Sequence, residues 1–163
     1  MNILGVSALY HDSAAVLIQN GVIVAASQEE RFSRKKHDAR LPVGAMAWCL
    51  EQGNVPADGI DAVVFFDKPI TKLTRLIDTY SQVAPKGLRS FVSAIPAWLK
   101  DKGWVGSQIE KFLKTKGYSA PKKFYFPEHH QSHAASAFFP SPFEEAAVLV
   151  ADEIAQEVDF FSI

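Results

Sequence analysis

Three of the five histidines in this 163-residue chain fall within five positions, in Glu128-His129-His130-Gln131-Ser132-His133. On a helix, His129 and His133 stand one turn apart, so their rings can converge on one ion. Neutral imidazole suits zinc, iron, nickel or copper. His130 lies about 100° round such a helix and reads as a substrate-contacting or supporting residue. A third ligand is needed, and Asp152 is the candidate, because it closes the apolar run Ala147-Val148-Leu149-Val150-Ala151. Ligands in open α/β sheets sit at that strand end, and two histidines with one carboxylate leave coordination positions open. On the residues alone, incidental histidines and an ordinary strand-end acid are an equally good reading.

Two further groups have chemistry-bearing residue types. Tyr10-His11-Asp12-Ser13 lies between two apolar runs. A His-Asp pair there can orient an acceptor hydroxyl and remove its proton, although Asp and Ser also simply favour turns. Glu29-Glu30-Arg31-Phe32-Ser33-Arg34-Lys35-Lys36-His37 is a charge run. Arg31 and Lys35 in it can hold a phosphate or a carbonyl oxygen, with a solvated surface loop as the alternative.

The elements that must position these groups follow from hydrophobic pattern. Ile3–Ser7, Ser13–Ile18 and Val22–Ala26 read as three strands. Asn20-Gly21 between the last two is a strong hairpin signal, so those two are antiparallel. The charged stretch 27–41 reads as a loop or broken helix. Pro42 opens a helix that runs to about Gln52 and stops at Gly53. Ile60–Phe66 is a fourth strand. A helical insertion spans about 71–117, divided by Pro85, Pro96 and Gly103. Lys122–Phe126 is a short strand, Pro127–Phe139 a helix that carries the histidines, and Ala146–Ala151 a final strand.

This order predicts an α/β fold with a mixed sheet and a helical insertion. It matches the first half of an actin-like or sugar-kinase-like (ribonuclease H-like) architecture. A hydrophobic fraction of 48% and a charged fraction of 21% are ordinary for one globular domain. A net charge of -1 gives no basic field for nucleic acid or anionic membrane. No run of 18 apolar residues exists, and the first residues lack a signal-peptide pattern, which predicts a cytoplasmic protein. Cys49 lies in an apolar helical stretch and reads as an unreactive buried thiol.

Several long motifs occur together and in order: His11-Asp12-Ser13-Ala14-Ala15, Glu29-Glu30-Arg31-Phe32-Ser33-Arg34-Lys35-Lys36-His37-Asp38, Asp67-Lys68-Pro69, Glu128–Ala137 and Phe138–Ala147. With these the chain resembles the N-terminal part of the nodulation-protein and antibiotic O-carbamoyltransferases. The resemblance runs from Ile3 to about Asp152. It implies an actin-like domain related to enzymes that transfer threonylcarbamoyl to tRNA. A separate C-terminal domain would make carbamoyl-adenylate from carbamoyl phosphate and ATP. The carbamoyl group would then pass to the hydroxyl of a small molecule, beside a bound divalent metal, iron foremost. The resemblance implies His129, His133 and Asp152 as metal ligands, and His11 and Asp12 beside the transferred group with His11 as base.

One departure stands out. The family continues after the strand-end Asp with Gly-x-Gly and a Trp-Ala-Thr-Thr-like hairpin, whereas here the sequence is Asp152-Glu153-Ile154-Ala155-Gln156-Glu157. The expectation is a single subdomain over 1–163 with a divergent tail at 153–163. On its own it would be inactive, needing the second half of the fold or a homodimer mate. The alternative expectation is a non-catalytic metal- or partner-binding module.

Overall fold

The computed structural model describes residues 1–68, scattered positions between 74 and 88, residues 104–151, and the backbone alone of 152 and 157–162. Its first strands are β1 (Asn2–Ser7), β2 (Ala14–Gln19) and β3 (Val22–Gln28). They form an antiparallel meander. The β2–β3 turn is Asn20-Gly21, both at positive φ (52° and 85°), the conformation that a two-residue hairpin demands.

A four-residue helix α1 (Glu30–Ser33) and the longer α2 (Val43–Gln52) follow. Next come β4 (Ala62–Phe65), α3 (Val105–Thr115), β5 (Lys123–Tyr125) and α4 (His129–Phe138). Strands β6 (Ala147–Asp152) and β7 (Glu157–Ser162) close the chain order. Most of the expected insertion at 71–117 lies outside the described residues; its last helix is α3.

Five strands form one mixed sheet in the order β3-β2-β1-β4-β5. Strand β4 runs parallel to β1 and to β5. One face of the sheet holds the core. Leu4 and Val6 of β1, Ala15 and Leu17 of β2, and Val63 and Phe65 of β4 are buried there. Helix α2 contributes Ala45, Met46, Cys49 and Leu50 to this core, and α3 contributes Val105, Ile109 and Leu113. The i, i+4, i+8 spacing of the α3 residues is the apolar stripe that a surface helix needs. Burial pushes the Cys49 thiol up, in keeping with an inert core cysteine.

Strands β6 and β7 make a separate antiparallel pair, with Asp152 opposite Glu157. Strand β6 packs beside α4. The tail thus contains a strand, β7, that the sequence pattern did not reveal. Among the described residues no helix is long and apolar enough to cross a membrane.

Candidate functional site

Because β1, β4 and β5 are parallel, their carboxyl ends share one edge of the sheet. Strand β3 ends at the same edge, so four connections leave from it: the 8–13 loop after β1, the step from β3 into α1, the Phe66-Asp67-Lys68 segment after β4, and residues 126–128 leading from β5 into α4. His11 and Asp12 lie on the first of these connections, Arg31 and Lys35 in and just after α1, and the three histidines in the first turns of α4.

Helix α4 starts under tight local control. The backbone N–H of Glu128 donates to Gln131 Oε1 at 3.2 Å, a reciprocal capping contact that fixes the first turn. Ser132 Oγ donates to the carbonyl oxygen of Phe66 at 2.7 Å and so anchors the helix to the end of β4. The small residues of the helix permit close packing, and Ala134 is buried.

His129 and His133 come together as their spacing predicts. Their Nε2 atoms are 3.1 Å apart, and the rings meet edge to face at 88°. The His129 ring also lies against the Phe66 ring, at 5.9 Å between centroids. Two metal–nitrogen bonds of about 2.1 Å at a right angle would span about 3 Å, so this donor pair fits a shared divalent cation. His130, on the same turn, is buried at 5% exposure and faces neither the solvent nor the cavity described below.

Asp152 ends β6, beside α4, as expected. Its side chain lies outside the described residues. Among the described residues no three His, Cys, Asp or Glu side chains form a metal-holding group.

His11 and Asp12 also come together. His11 Nδ1 lies 2.9 Å from Asp12 Oδ2. The other carboxylate oxygen, Oδ1, lies 2.9 Å from His37 Nδ1. The Asp12 carboxyl is held below its usual range, chiefly by the His37 hydrogen bond. His37 is the residue that sequence reasoning missed. It stood within the charge run, and nothing local links it to a turn 25 positions earlier.

The charge run itself divides by role. Glu29 is buried and its carboxylate accepts from the backbone N–H groups of Gly44 (3.1 Å) and Ala45 (2.8 Å) at the start of α2. It is therefore a structural cap, suited to the positive end of a helix. Arg31 lines a cavity of about 720 Å³ between the second face of the sheet and α4. Gly5, Val16 and Ala26 form part of its apolar floor, and Gln131, Ser132 and Ala135 its wall on the helix. His129 and His133 lie on a different side of α4 from that wall. Lys35 is exposed and outside the cavity lining; its backbone N–H donates to Ser33 Oγ at 3.3 Å.

Comparison with known proteins identifies the family of this chain. The chain is 51% identical over 158 residues to sll1178, an uncharacterized protein of Synechocystis, covering 95% of this chain and 26% of that protein. It is 31% identical over 145 residues to the nodulation protein NolNO of Sinorhizobium fredii, covering 87% of this chain and 19% of NolNO. An uncharacterized 19.2 kDa protein of Rhizobium etli is 36% identical over 56 residues, 34% of this chain and 33% of that protein. The chain therefore spans about a quarter or less of the two relatives that it matches most fully. A sequence family described as the carbamoyltransferase N-terminus matches residues 2–158. Nearly the whole chain is thus accounted for, and it belongs to the carbamoyltransferase N-terminal family.

Proposed function

We propose that this chain supplies the N-terminal part of a carbamoyl-transfer site, built on an actin-like half-fold. The group transferred comes from carbamoyl-adenylate, itself made from carbamoyl phosphate and ATP, and goes to the hydroxyl of a small molecule. Use of ATP suits a cytoplasmic setting. The observation that carries this reading is the His129–His133 pair, with its Nε2 atoms 3.1 Å apart at the carboxyl edge of a parallel strand group. Membership of the family gives the pair its chemical context.

In this reading His129, His133 and Asp152 hold a divalent cation, iron in the first instance. The cation would supply Lewis-acid polarisation of the carbamoyl carbonyl or the adenylate phosphate. The remaining work falls to side chains of the loops. Asp12 takes the Nδ1–H of His11, which leaves the Nε2 lone pair as proton acceptor. His11 Nε2 removes the proton of the acceptor hydroxyl. The hydroxyl oxygen bonds to the carbamoyl carbon, and the bond from that carbon to the phosphate oxygen breaks. AMP leaves with the electron pair. Arg31, the charged side chain in the cavity lining, can fork two N–H donors onto phosphate or carbonyl oxygens.

Metal analysis tests this. Protein purified without chelator should carry a divalent metal, and a His129→Ala, His133→Ala double variant should lose it. Equal metal content in the two proteins would remove the site. Asp152→Ala should weaken binding by an order of magnitude or more, and undiminished affinity would exclude that ligand.

A further inference from the structure

The Asp12 carboxylate serves two imidazoles at once. His11 Nδ1 meets Oδ2 and His37 Nδ1 meets Oδ1, both at 2.9 Å. An ionised carboxylate only accepts, so each Nδ1 carries its hydrogen and each neutral ring presents a lone pair at Nε2. The two loops that carry these residues are stitched together by backbone. Leu9 N–H donates to Ala39 O at 2.7 Å, and Ser13 N–H donates to Asp38 O at 2.9 Å. Asp38 is itself buried and bonded to the Arg40 guanidinium.

Backbone conformation adds a second observation. Asp12 has φ of 48° and His37 has φ of 53°. That region is unfavourable for L-residues and persists only where the surroundings over-determine it. The two loops are thus joined by backbone beneath an exposed His11–Asp12–His37 cluster.

We propose that His37 is a positioning residue that acts on His11 through Asp12. By occupying Oδ1 it fixes the plane of the carboxylate, so that Oδ2 stays on His11 Nδ1–H. Without it the carboxylate turns about a broad sp³–sp² torsion. His11 then relaxes toward the Nε2–H tautomer that free histidine prefers. In that tautomer Nε2 cannot accept the hydroxyl proton. The inference rests on His11 being the base in the proposed transfer, but its test does not require transfer.

The experiment uses the full chain labelled with ¹⁵N-histidine, at a pH where imidazoles are neutral. Long-range ¹H–¹⁵N spectra distinguish the two tautomers. His11 and His37 should both show the Nδ1–H pattern in the wild type. His37→Gly, which suits the positive φ and removes the donor, should lose that pattern at His11. His37→Asn, which restores an amide N–H near the Nδ1 position, should recover it. Asp12→Gly, which suits the positive φ and removes both acceptor oxygens, should abolish it at both rings. An unchanged His11 tautomer in His37→Gly would overturn the proposal. So would loss of the pattern in His37→Asn while the rest of the spectrum stays native. A chain that carries no divalent metal would count against the proposed function and leave this clamp untouched.

Discussion

Removing the Glu29 carboxylate should destabilise the fold by about 2–4 kcal/mol. The figure follows from what the carboxylate holds. It accepts two backbone N–H groups at the start of α2, from Gly44 and Ala45. Glu29 is 5% exposed and Ala45 is fully buried, so in Glu29→Ala no water readily replaces the acceptor at Ala45. A buried donor left unsatisfied costs about 1–3 kcal/mol. Gly44 is only half-buried and its N–H can be partly rehydrated, so it adds nearer the low end. Favourable interaction with the helix dipole is also lost. For a chain of this size a loss of about 3 kcal/mol lowers Tm by roughly 6–12 °C. Glu29→Gln keeps one acceptor oxygen but turns an amide toward the other N–H, and should recover no more than about half the loss. Urea and thermal unfolding of the three proteins measure this. A Glu29→Ala variant within about 0.5 kcal/mol of the wild type, with α2 still formed, would refute the capping argument.

Two further changes probe the same frame. The hydrogen bonds from Arg40 hold the Asp38 carboxyl well below the usual carboxylate range. Such a group stabilises the fold above its unfolded pKa of about 3.9 and loses that effect as pH falls toward its folded value. Wild-type stability should therefore fall more steeply than that of Asp38→Asn between about pH 5 and about pH 2; parallel urea midpoints across that range would count against the ion pair. At the cavity floor, a Cβ on Gly5 would sit 2.7 Å from Val16 Cγ1. Gly5→Ala should cost about 1–3 kcal/mol through overpacking, and adding Val16→Ala should return much of it. Additivity within about 0.5 kcal/mol in that double-mutant cycle would dismiss the steric account.

What could be read in the sequence was what local pattern encodes. Asn20-Gly21 gave the hairpin and its register partner strands because positive φ at two successive residues is a local demand. The α2 stop at Gly53 and the i, i+4 meeting of His129 and His133 are local as well. What stayed hidden is long-range. Glu29 caps a helix whose first N–H groups lie 15 and 16 residues further on, so within its charge run it looked like any solvated acid. His37 reaches Asp12 across 25 residues, and no periodicity marks such a pair. His130 looked as available as its neighbours, yet it is buried on α4 together with Ala134, since helical phase and not composition decides which of the three imidazoles is buried. Strand β7 lay within the tail set apart as divergent, and its alternation of polar and apolar residues, Glu157-Val158-Asp159-Phe160, lasts only four positions before Phe161 breaks it.

The anchoring of α4 bears on how such a protein can diversify. Ser132 ties the helix to the Phe66 carbonyl just past β4, and just three residues separate β5 from the first histidine. The imidazole pair is consequently referenced to the strand framework, whereas the His11–Asp12–His37 assembly is referenced to two interlocked loops. Edits to those loops can therefore reshape one flank of the candidate site while the geometry of the imidazole pair is inherited unchanged.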